Sequence, residues 1–161
     1  MLMIKSSAIN ELDLMDRKIL SILQQNGRIR NAELAKLVHL SPPAVLGRVK
    51  RLENDGFIQS YVALVDKRKL GLDHLCFIEL TLELHRYEQI QSILQTITSW
   101  PEVLECHNVT GEYDYLLKVA VENTEALEQF ISRRMTPLEG IAKLHTSLVL
   151  KEVKATTAIE T

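Results

Sequence analysis

The sequence is sparing with the residues that mark special architectures. Its 161 residues include two cysteines, four prolines, six glycines and one tryptophan, and aromatic side chains make up 5%. Cys76 and Cys106 lie 30 residues apart with no CxxC spacing, so reduced thiols are expected rather than a disulfide or a redox motif. No run approaches the roughly eighteen uninterrupted apolar residues of a membrane span. Residues 1–10 (MLMIKSSAIN) lack the long apolar stretch and small-residue cleavage site of a secretory leader. The histidines at 39, 74, 85, 107 and 145 show no metal-ligand spacing. Nucleophile-elbow, HExxH and phosphate-loop patterns are also missing, so no metal, cofactor or enzymatic activity is expected. What is present is ordinary: 46% hydrophobic and 25% charged residues. That balance excludes disordered, collagen-like and disulfide-scaffold chains and fits one domain or two small ones.

A net charge of −2 seems to speak against nucleic acid, but it conceals two halves. Residues 1–69 carry twelve Lys and Arg against seven Asp and Glu, a net of +5. Residues 70–161 carry seven against fourteen, a net of −7. The sign change implies two domains with different partners. The charged run VDKRKLG at 65–71 reads as the junction. The division is therefore a basic region over 1–60, a linker over 61–71 and a second domain over 72–161.

The first half predicts three helices. Asp13 caps the first, with Asp16 three residues on, and Met15, Ile19, Ile22 and Leu23 form its apolar face until Gly27 stops it. Asn31 is the expected cap of a second, short helix containing Leu34, Ala35, Leu37 and Val38. Ser41 caps a third, Pro42 takes its first position, and Val45, Val49 and Leu52 form the buried stripe. Residues 57–64 (FIQSYVAL) then read as strand. The second half alternates from Leu72 to Leu82 as a strand and returns to helical spacing from Tyr87 to Ile97. Strands over 103–110 and 113–121 follow, then a helix capped by Asn123 or Thr124, then a last strand over 143–149. The order β-α-β-β-α-β is ferredoxin-like.

The turn His39-Leu40-Ser41 between two short helices has helix-turn-helix spacing. Opposite the buried stripe, the third helix offers Pro43, Ala44, Gly47, Arg48, Lys50 and Arg51. Small residues near its start admit the helix to a major groove about 12 Å wide, and Arg pairs with guanine or phosphate. Ser41, Pro42 and the free N–H groups after them form an anion site at the helix start. Arg28 and Arg30 are placed to clamp the flanking backbone. Taken alone, such a basic helix reads as a solvated face; its place after a tight turn in the +5 half favours DNA.

These residues resemble the Lrp/AsnC family of bacterial and archaeal transcriptional regulators. The resemblance rests on Leu12-Asp13, residues 23–28 (LQQNGR), Leu40-Ser41-Pro42 and residues 48–58 (RVKRLENDGFI). It continues through Trp100-Pro101-Glu102-Val103, residues 110–117 (TGEYDYLL) and residues 150–154 (LKEVK). It implies an α+β chain: an N-terminal winged helix-turn-helix joined by a hinge to a C-terminal ferredoxin-like βαββαβ regulatory domain. It further implies dimers that assemble to octamers, double-stranded DNA as partner, an amino-acid effector and a cytoplasmic, nucleoid-associated location. Gly47 departs from the family, whose members often carry a bulkier or basic residue there. Gly inside a helix costs about 0.5–1 kcal/mol, and position 47 makes no base contact on this reading.

Gly111-Glu112-Tyr113-Asp114-Tyr115 joins two strands. Gly allows positive φ, so neighbouring N–H groups can converge on a carboxylate, while Asp114 can hold an ammonium group. A tight strand turn with surface carboxylates is the plain alternative. The resemblance places an effector site here, and Gly111, Glu112, Tyr113 and Asp114 are its expected residues. The expected function is a sequence-specific, amino-acid-responsive regulator of amino-acid metabolism genes. The alternative is a DNA-organising protein with little effector response.

Overall fold

The computed structural model describes residues 12–83 and 86–161. The leader reading of residues 1–10 and His85 lie outside the described residues. Contacts divide the chain into two units, one running to Leu64 and including Lys154–Thr161, the other spanning Val65–Val153.

The first unit is three helices: α1 (Leu14–Gln25), α2 (Asn31–Val38) and α3 (Pro42–Asn54). Asp13 and Asp16 form a reciprocal capping box at the start of α1, each carboxylate accepting from the other's backbone N–H. Asn31 is not a cap but the first helical residue; Arg30, extended at φ −73°, takes the cap position without a side-chain bond. The 2-to-3 turn depends on His39, which adopts a left-handed φ of 55°. Ser41 Oγ then accepts from Ala44 N at 3.4 Å and Pro42 opens α3, as the sequence predicts. Ile19, Leu34, Val38, Val45 and Leu52 are fully or almost fully buried and close the core.

Residues 57–64 are not a strand. Among the described residues they have no ladder partner, and residues 59–64 are exposed. Alternating apolar residues specify an extended chain, but a strand also needs an edge to pair with. Tyr61 instead donates to Glu53 Oε1 at 3.0 Å and lies over Gly27, where a Cβ would stand 3.2 Å from its ring. By their contacts, Lys154–Thr161 group with this unit. The Gln24 side-chain amide both donates to Ile159 O (2.8 Å) and accepts from Ile159 N (2.7 Å), and Thr161 Oγ1 donates to Arg17 O.

The second unit is an α+β sandwich: β1 (His74–Leu82), α4 (Tyr87–Thr98), β2 (Val103–Asn108), β3 (Tyr115–Val121), α5 (Thr124–Phe130) and β4 (Ile141–Leu148). The antiparallel sheet has the order β2-β3-β1-β4, so the ferredoxin-like expectation holds. His107 and His145 consequently sit on opposite edge strands. Asn123 caps α5 through Ala126 N, and α5 runs on into a wider turn over Ile131–Met135. Cys76, Ile78, Leu80, Leu117 and Val119 form the buried sheet face against Ile97, Phe130 and Met135. Trp100 packs edge-on against Phe130 at 5.5 Å, a helix-end packing residue as its place before Pro101 suggests. Cys76 is buried and Cys106 half-buried; both thiols are free, and burial raises the pKa of each.

Candidate DNA-binding and ligand-binding sites

In the first unit, the open side of α3 carries Pro43, Ala44, Gly47 and Lys50, all exposed. A Cβ on Gly47 would meet nothing within 4 Å, so this stretch of helix is smooth and unobstructed. Ser41 and Pro42 are exposed at the helix start, and Arg28 and Arg30 are exposed on the chain entering α2. The Arg28 amide donates to Asn26 Oδ1 at 3.1 Å, which fixes the loop but not the guanidinium.

Arg48, half-buried on the flank of that side, and Arg51, exposed at its border, both turn their guanidinium groups to α1. Arg48 Nη1 donates to Asp13 Oδ2 at 2.6 Å and to Asp16 Oδ1 at 2.8 Å, while Arg51 Nη2 pairs with Asp16 Oδ2. Asp16 is 0% exposed, whereas the Arg48 and Arg51 side chains are 30% and 49% exposed. The two arginines expected to read DNA therefore face α1 and neutralise its carboxylates. The backbone N–H of Asp16, and then the Arg48 guanidinium, pull the Asp13 carboxyl down to about 2. Asp13 and then Asp16 raise the Arg48 pKa in turn. Sequence reasoning missed this partnership, although a signal was present. Asp16, Ile19 and Leu23 fall three and four apart, so a carboxylate occupies the apolar stripe, where an ion needs a partner.

In the second unit, residues 109–114 cross from β2 to β3. Gly111 has φ +127°, the positive value this connection was expected to need. Asp114 pins the connection to β1: its Oδ2 accepts from Leu82 N at 2.8 Å and its N donates to Leu80 O at 2.8 Å. Asn108 Nδ2 and Val109 N both donate to its carbonyl. One carboxylate oxygen expected to take an ammonium group thus holds the fold. Tyr113 stacks on His145 with centroids 6.2 Å apart, and His145 Nδ1 lies 2.8 Å from Glu79 Oε2. Glu112 is exposed and faces Lys143 at 3.6 Å. These β1 and β4 neighbours were invisible in the sequence, because only the β1–β4 register brings Glu79 opposite His145.

Among the described residues no group of three or more His, Cys, Asp or Glu could hold a metal ion. No described helix is long and apolar enough to cross a membrane.

Comparison with known proteins finds two family matches along the chain. The winged helix-turn-helix DNA-binding family matches residues 12–59, and the Lrp/AsnC ligand binding domain family matches residues 75–159. The leucine-responsive regulatory protein of Escherichia coli (strain K12) is 40% identical over 144 residues, covering 89% of this chain and 88% of that one. A transcriptional regulator of Neisseria meningitidis, solved as a complex with L-Met, superposes with a TM-score of 0.89 at 36% identity, covering 92% and 96% of the two chains. The structure of AsnC from E. coli gives 0.83 at 31% identity, covering 91% and 97%. These relatives are DNA-binding transcriptional regulators with a ligand-binding domain, not enzymes, and the chain belongs to the Lrp/AsnC family.

Proposed function

We propose that this regulator binds double-stranded DNA sequence-specifically, answers to a free amino acid and controls amino-acid metabolism genes. The observation that carries the DNA half is the open side of α3, a capped helix start followed by small residues and a single lysine. Ser41, Pro42, Pro43, Ala44 and Lys50 meet the duplex, and Arg28 and Arg30 approach the flanking phosphates. The effector half rests on the 111–114 connection. Gly111 opens the backbone, Glu112 and Tyr113 flank it, and Asp114 both holds the connection and offers charge. Among the relatives, one was solved with L-Met and another is named as leucine-responsive, which supports an amino acid as ligand. A dimer, assembling to an octamer in the cytoplasm, would present two recognition helices about one helical turn apart.

Calorimetric titration of the full chain against a panel of free amino acids tests the effector half, followed by DNA-binding curves with and without the hit. One amino acid should release heat and shift the DNA curve, and by linkage DNA should shift its affinity by the same factor. Asp114→Asn keeps an oxygen for Leu82 N but loses the charge, so it should abolish that heat. Uniformly flat titrations would refute the effector reading.

A further inference from the structure

Apolar packing places a recognition helix, and a directional contact sharpens its roll. Val45, Val49 and Leu52 bury one stripe of α3, but hydrophobic contact is non-directional. A roll of about 20° would carry a side-chain tip about 2 Å, given a helix radius of about 5–6 Å with side chains included. That is far outside the window of a hydrogen bond to a base edge. A directional contact narrows the roll further than packing does.

The directional element lies on the α1 side. Arg48 and Arg51 are three residues apart on one flank of α3 and converge on the two oxygens of the buried Asp16. Charge-assisted bonds from a guanidinium fork are short and strongly oriented. Asp16 cannot move to follow them, because its carboxylate also accepts from Asp13 N within the capping box. Asp13 ties the frame a second time through Arg48 at 2.6 Å. The first turn of α1 and the second half of α3 are therefore joined by two arginines and two carboxylates whose charges cancel.

We infer that Asp16, with Asp13, Arg48 and Arg51, is a positioning device for DNA recognition: it sets the roll of α3 and withdraws both arginines from the charge presented to phosphate. The inference rests on the DNA-binding reading and adds residues on α1 to it. It separates two roles that a basic helix usually merges. Lys50 supplies attraction; Asp16 supplies aim.

The test is fluorescence anisotropy of the full chain on two labelled duplexes. One is enriched by the wild-type chain from a randomised pool, and the other is a scramble of the same composition. Asp16→Asn should lower the ratio of the two affinities at least tenfold and steepen the slope of log affinity against log salt by up to about one, because Arg51 is released to phosphate. Arg48→Ala should lower the ratio similarly, but at constant slope, because no phosphate contact is lost. Arg48→Lys should recover part of the ratio, and Lys50→Ala should reduce the slope by about one. Asp13→Asn keeps an oxygen for the cap and removes only one charge. It should lower the ratio about threefold, and it serves if Asp16→Asn fails to fold. An unchanged ratio in both aspartate variants overturns the inference, as does a reduced salt slope for Arg48→Ala. A wild-type chain that enriches no duplex overturns the DNA-binding reading itself.

Discussion

The two units differ in how they hold the aspartate nearest their candidate site. In the first, Asp16 is fully buried and answers two arginine side chains. In the second, Asp114 is half-buried and answers a backbone amide. A buried ion that faces ions must be balanced in charge, and removing its partners strands it. A carboxylate that faces an amide dipole needs only an acceptor, and an uncharged oxygen will serve. The difference teaches where charge matters for structure and where it remains available for a ligand.

The severest way to break this contrast is to strand Asp16. Removing both partners in Arg48→Ala/Arg51→Ala leaves a buried, uncompensated carboxylate, and such losses cost about 3–5 kcal/mol. Urea unfolding should show this as a large fall in midpoint. The converse change, Asp16→Asn, leaves two arginines that are partly exposed and can turn to water, so its cost should be smaller. Equal losses would show that the carboxylate is not the expensive member.

Asp114 should show a different pattern. Asp114→Ala leaves Leu82 N without its acceptor and should cost about 1–3 kcal/mol. Asp114→Asn should cost little, because the amide oxygen replaces Oδ2. Comparing the two by thermal unfolding distinguishes a hydrogen bond from a charge. A large loss in the asparagine variant would mean that the second unit, too, depends on charge.

Acid gives a third comparison. Asp13 is held at about 2 against its usual 3.8, so the folded state favours the carboxylate. A depressed carboxyl contributes its stability in full above about pH 4 and loses it as pH falls from 4 towards 2. Denaturation curves at pH 7, 4 and 2.5 should show a decline in wild type that is shallower in Asp13→Asn.

The elements were legible where side-chain chemistry is local. Ser41-Pro42 and the spacing of Val45, Val49 and Leu52 place α3, and Asp13 with Asp16 places the start of α1. What sequence could not supply was the facing partner. Arg48 and Arg51 look identical on paper to Lys50, yet they stand about 160° and 100° from it around the helix, so they meet α1 while Lys50 meets solvent. Likewise, residues 57–64 have strand composition but no edge to join among the described residues. Asp114 carries the right charge for an ammonium group, but only the β1–β3 pairing shows that Leu82 N takes one of its oxygens.

Lys143 and Glu112 give the smallest effect and the sharpest control. They have opposite charge and join the candidate ligand connection to β4, much as Arg48 and Asp16 join α3 to α1. Their closest atoms are nevertheless 3.6 Å apart, and the two side chains are 63% and 69% exposed. Water screens such a pair, and ordering two long side chains offsets most of the attraction, so exposed pairs contribute about 0.2–1 kcal/mol. Lys143→Ala should therefore shift the unfolding midpoint very little, and raising the salt concentration should erase even that. If it instead cost as much as stranding Asp16, burial would not be what separates the two ion pairs. The connection over residues 109–114 would then depend on β4 electrostatics as α3 depends on α1.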